Sequence, residues 1–123
     1  ISNASHLSQS LLLNAYESPE YASWKAEKYA VLAGRYEKMR AVLTAHPEYA
    51  DRFEPLPCNS GYFMCVRPLA GDAEAIRQHL LAEYDTGLIA TAGLLRIAFS
   101  SVPTSALDDL FANLYAAIGD LTA

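Results

Sequence analysis

The feature that most restricts the fold is the stretch between two prolines, Pro19 and Pro47. Ser18 can cap free backbone N–H groups, Pro19 suits the first helical position, and Glu20 complements the positive end of a helix. The pattern predicts one helix from Pro19 to His46, about 28 residues and roughly 42 Å long, ended by Pro47. Tyr21, Trp24, Leu32, Tyr36, Met39 and Leu43 form its apolar stripe, while Lys25, Lys28 and Lys38 fall on solvated faces. A helix of that length exceeds what a compact domain of 123 residues requires. It is the kind of element that links one domain to another.

The other segments are short. A first helix is expected from Ser8 to Tyr16, with Leu7, Leu11 and Ala15 on its inner face. The chain opens abruptly with Ile1, so further residues upstream are expected. Glu48 to Asn59, interrupted by Pro55 and Pro57, reads as a surface connection. Gly61 introduces a strand from Tyr62 to Arg67, closed by Pro68. Asp72 caps a helix from Ala73 to Tyr84, with Ile76, Leu80 and Tyr84 inward and Gly87 at its end. Leu88–Thr91 is a short strand, Ala92-Gly93 a turn, and Leu94–Ser100 a further strand. After Pro103, Thr104 or Ser105 caps a last helix whose face is Leu107, Leu110, Phe111, Leu114, Ile118 and Leu121. The order predicts an α+β fold, a small three-stranded sheet covered by helices, with a long N-terminal helix of interdomain type. Residues 1–123 form one domain in this reading, 1–46 being linker and long helix and 59–123 the sheet-helix layer.

Charge and cysteine usage narrow the function. A formal net charge of -5 with scattered basic residues argues against a nucleic-acid partner. Apolar runs such as Leu11-Leu12-Leu13 are far below the roughly 20 residues of a membrane span. Cys58 and Cys65 match no metal or redox spacing, and His6, His46 and His79 have no companions at ligand spacing, so no metal is expected. Reduced thiols in a cytoplasmic protein are expected.

The chemistry concentrates in Leu94-Leu95-Arg96-Ile97-Ala98-Phe99-Ser100. By the two-residue period, Leu95, Ile97 and Phe99 share one face and Arg96 lies on the other. A guanidinium among apolar neighbours requires an anion, and its planar fork suits a carboxylate. Residue chemistry leaves open whether that carboxylate belongs to the protein or to a ligand, or whether the arginine faces solvent.

The order of these segments resembles the C-terminal small domain of fold-type I, pyridoxal-phosphate-dependent aminotransferases of class I and II. The resemblance runs through Asn3 to Gln9, the long helix, Asn59-Ser60-Gly61-Tyr62-Phe63-Met64-Cys65-Val66, Asp72-Ala73-Glu74, Gly87-Leu88-Ile89, the Leu-Arg-Ile-Ala-Phe-Ser strand and the terminal helix. It implies that Arg96 binds the α-carboxylate of an amino-acid substrate, and that Asn59, Gly61 and Tyr62 line the substrate side. It also implies that pyridoxal 5'-phosphate is held by the lysine, aspartate and phosphate loop of a large domain of the same chain. No Ser-x-x-Lys occurs in this sequence, and Lys25, Lys28 and Lys38 sit on another element. The resemblance thus implies a fragment of a dimeric enzyme that exchanges an amino group between an amino acid and a 2-oxo acid, inactive alone and without cofactor. The competing expectation is a free-standing α+β binding module. A detached domain should expose an apolar face on the Leu11 segment and the Tyr21–Leu43 helix, whereas a module should be closed.

Overall fold

The structure, a computed structural model, describes residues 5–59 and 61–122. Ser60, on the segment expected at the site, lies outside the described residues. The chain divides into two compact units, Ile1–Val31 and Leu32–Ala123.

The first unit holds α1 (His6–Glu17) and the start of α2 (Tyr21–Ala45). The break between them follows from Ser18-Pro19-Glu20. Ser18 is extended; its hydroxyl accepts from the Glu20 N–H (3.2 Å) and donates to the Glu20 carboxylate (3.0 Å). This local turn competes with a helical turn, so α2 begins two residues beyond the expected Pro19. Rings of Tyr16 and Tyr21 meet across the bend at 5.1 Å. No residue of α1 is buried: Leu7 and Leu11 of the expected inner face are exposed, as are Leu12, Leu13, Trp24 and Tyr29.

In the second unit α2 buries Met39 and Val42, with Tyr36 and Leu43 against the same core. A 3-10 turn (Pro47–Asp51) leads to β1 (Phe53–Pro55), followed by β2 (Met64–Pro68), α3 (Ala73–Tyr84), β3 (Ile89–Thr91), β4 (Leu94–Ile97) and α4 (Leu107–Thr122). The sheet is antiparallel throughout, in the order β1-β2-β4-β3. Phe53, Met64, Val66, Leu95 and Ile97 form its inner face, in one core with Ile76 and Leu80 of α3 and Leu107, Phe111, Leu114 and Ile118 of α4. Leu121, expected on that α4 face, is exposed.

The α+β class is as expected, but the sheet has a fourth strand. It lies in the segment read as surface connection, where Tyr49 and Phe53 are buried. Prolines are tolerated there because β1 is an edge strand, with one side of its backbone free of partners. Arg52 clamps the same segment to α4: it donates to the Tyr115 carbonyl at 2.6 Å and lies 3.9 Å over the Tyr115 ring. Gly119 leaves the space, since a Cβ there would collide with the guanidinium.

Turn chemistry accounts for two further differences. Asp85, not Gly87, adopts the left-handed conformation after α3 (φ 47), and the Thr86 N–H closes onto the Leu80 carbonyl. Ala92 and Gly93 both have positive φ (48 and 76), the requirement of a two-residue hairpin between β3 and β4. β4 ends at Ile97, and Phe99–Ser101 turns into a 3-10 helix that still buries Phe99.

Helices α3 and α4 are joined by a polar contact. The Asp120 carboxylate accepts from the Tyr84 hydroxyl (2.7 Å) and lies 3.0 Å from His79 Nε2. These bonds, Tyr84 first and His79 second, hold the Asp120 carboxyl below its usual range. A lowered carboxyl stabilises the fold fully above its ordinary pKa and loses that contribution as pH falls through the folded value. Tyr84→Phe is therefore expected to lower the melting temperature at pH 7, with the gap from wild type closing as the pH is taken below about 4. Thermal unfolding of both proteins from pH 7 to 2 checks this, and a gap independent of pH would refute it. Glu74, held by Arg77 and then Gln78 with a pKa of about 2, keeps its ion pair over most of this range and serves as an internal reference.

Candidate functional site

Strand β4 is an interior strand, anchored by Leu95 and Ile97 on the core side. The side chain between them, Arg96, is thereby set on the opposite, open face. Its register partners are Cys65 on β2 and Ile89 on β3, and partners opposite one another share a face. Cys65 is half-buried and Ile89 exposed. Phe63, two residues before Cys65, brings its ring under the guanidinium, with the Arg96 Cζ 4.7 Å from the ring centre.

Among the described residues, Arg96 Nε is sealed from solvent and finds no hydrogen-bond partner. The other guanidinium groups of the second unit are engaged. Arg35 donates to the Ser100 carbonyl, Arg52 to that of Tyr115, Arg67 pairs with Glu54, Arg77 with Glu74, and Arg40 lies over the Tyr36 ring. Several acids are paired elsewhere: Asp108 holds Lys38, and Glu48, whose carboxyl is lowered chiefly by its bond to His46, pairs with that ring at 2.7 Å. A protein carboxylate for Arg96, one of the options left open by the sequence, is not found among the described residues. A buried donor left without an acceptor costs about 1–3 kcal/mol.

The loop before β2 reaches the same end of the sheet. Tyr62 accepts at its carbonyl from the Ser100 N–H (3.3 Å), tying the loop to the turn that follows β4. Tyr36 donates to the Cys58 carbonyl at 3.0 Å, and Gly61 takes a positive φ of 92 that a side chain would strain. Of the expected site residues, Arg96 and this loop are thus brought to one region. Asn59, Gly61 and Tyr62 are exposed along the loop, and Phe63 is the residue whose ring meets the guanidinium. The sequence reading placed Phe63 in the strand without a role. Its spacing from Cys65, opposite Arg96, was the available signal.

The planar Arg96 guanidinium suits a carboxylate. Among the described residues, its neighbours across the strands are Cys65, Ile89 and Phe63, while Lys38 is tied to Asp108 at 2.6 Å and Lys28 to Glu27 at 3.2 Å. A separate groove of about 260 Å³, lined by Met39, Leu43, Leu56 and Met64 among others, lies on the core side of β2. Among the described residues no group of His, Cys, Asp or Glu is placed to hold a metal, and no helix is long and apolar enough to cross a membrane.

No protein-family profile and no curated protein matches this sequence. Among solved structures, the chain is similar to an aspartate transaminase from Corynebacterium glutamicum, with a TM-score of 0.61 and 18% sequence identity. The match covers 75% of this chain and 24% of that one. At this identity the likeness is one of fold, and the chain spans about a quarter of that transaminase. The small-domain resemblance is met at that level.

Proposed function

We propose that the chain is the C-terminal small domain of a pyridoxal-phosphate-dependent aminotransferase that moves an amino group between an amino acid and a 2-oxo acid. In this reading Arg96 takes the α-carboxylate of the substrate, and Asn59, Gly61 and Tyr62 border it. The cofactor, which supplies the carbanion chemistry, belongs to a large domain of the same polypeptide. The parent enzyme is a cytoplasmic homodimer, and this domain alone does not transaminate. The observation that carries the reading is the sealed Arg96 Nε, without a hydrogen-bond partner among the described residues, in a fold shared with a transaminase.

The free-standing module is less well supported. Leu7, Leu11, Leu12, Leu13, Trp24 and Tyr29 are exposed, as expected of a domain detached from a larger neighbour. An immunoblot of source cells with an antibody to this domain tests the proposal. A band several times larger than 13.4 kDa is the expected result, and the native protein purified from those cells should contain pyridoxal phosphate. A band at 13.4 kDa would return the chain to the module reading.

A further inference from the structure

We propose that Phe63 is a positioning residue for Arg96, its ring holding the guanidinium flat and shielding one of its faces so that a small carboxylate meets an ordered, partly desolvated cation. The inference rests on the carboxylate-binding reading of Arg96 and adds to it the group that prepares the arginine. Phe63 precedes Cys65 by two residues and shares its face; Cys65 stands opposite Arg96, so the ring reaches the guanidinium diagonally across the strands. The ring is 46% exposed. An aromatic side chain left that open contributes little to the core, and its visible contact is the one with the cation. Two physical effects follow. Stacking restricts a long, flexible side chain before the ligand arrives, which reduces the ordering cost of binding. Covering one face with hydrocarbon also lowers the local dielectric, and the in-plane hydrogen bonds to a carboxylate strengthen.

Because the ring faces outward, its replacement leaves the core intact. The test uses sodium acetate as probe, at constant ionic strength, with the Arg96 Nε–H resonance followed by nitrogen-15 NMR and identified by its disappearance in Arg96→Lys. In the wild-type protein acetate should shift this resonance saturably, and the Arg96 δ protons should lie upfield through the ring current. Phe63→Leu should return those protons to ordinary positions and raise the apparent Kd for acetate about fivefold, within the range of cation–π contributions. Phe63→Trp should restore both. If Phe63→Leu binds acetate as tightly as wild type, the positioning role is overturned and the carboxylate reading of Arg96 stands. If the δ protons are not upfield in wild type, the stacked arrangement is absent in solution and the positioning role falls for that reason. If acetate leaves the Nε–H resonance of wild type unmoved, the carboxylate reading itself fails, and the role of Phe63 with it.

Discussion

Arg96→Ala in the intact enzyme is expected to raise the KM for the amino-acid substrate by roughly two to three orders of magnitude, with the cofactor spectrum unchanged. Truncating one partner of a desolvated, hydrogen-bonded charge pair costs about 2–5 kcal/mol, and each 1.4 kcal/mol is about tenfold. The arginine is held on an interior strand between two core residues that its truncation leaves in place, so in the proposed reading the main loss is the contact to the substrate carboxylate. Arg96→Lys should recover only part of the affinity, because an ammonium is a point charge and cannot present two parallel N–H groups. Single-turnover kinetics over a range of amino-acid concentrations separate binding from chemistry. An Arg96→Ala enzyme with wild-type KM would remove this residue from the site.

Phe53→Ala is expected to destabilise the second unit by about 3–5 kcal/mol, the usual cost of emptying an aromatic site in a core. Phe53 is 0% exposed and meets the Tyr49 ring at 5.6 Å. It stands at the start of the edge strand β1, which is three residues long, so the sheet has few other contacts with which to compensate. Against a total stability of about 5–15 kcal/mol for a domain, such a loss is severe. Urea unfolding followed by circular dichroism gives the shift in midpoint. Phe63→Ala, the same change at an exposed ring, is the control and should cost far less. Equal effects at the two positions would mean that β1 does not cover the core.

The elements with clean periodicity were legible in the sequence. The bounds of α3 are those expected, Ala73–Tyr84, with Asp72 as its cap accepting from the Ala75 N–H at 2.9 Å, because apolar spacing and a capping acid point the same way. The face of α4 was legible for the same reason as far as Ile118, but not at Leu121, which is exposed. Phe53 was hidden because prolines at 55 and 57 mark a surface loop in the average protein, and only the pairing Pro55↔Val66 shows that this stretch is an edge strand. The left-handed Asp85 was masked by a glycine two residues later, the more common solution. At the candidate site, the alternation of β4 was enough to set Arg96 apart from Leu95 and Ile97. That no acceptor for its Nε stands among the described residues was not legible, since that depends on where the other polar groups end up. Phe63 fell between the two kinds of signal: its face could be read from the alternation, but not the strand it would lie beside.

The order β1-β2-β4-β3 places Arg96 between two hydrogen-bonded neighbours, Cys65 on one side and Ile89 on the other. Its main chain can shift only when the sheet itself opens, a rare event with a free energy approaching that of global unfolding. The half-buried side chain, with the Phe63 ring 4.7 Å from its Cζ, has more freedom than that main chain and less than an exposed arginine. Two motions on different scales of time therefore meet in one residue: a stationary mount and a restrained head. Any adjustment at this position has only the second to work with, through the relative populations of a few arginine rotamers, and a neighbouring ring can alter those populations without displacing a single strand.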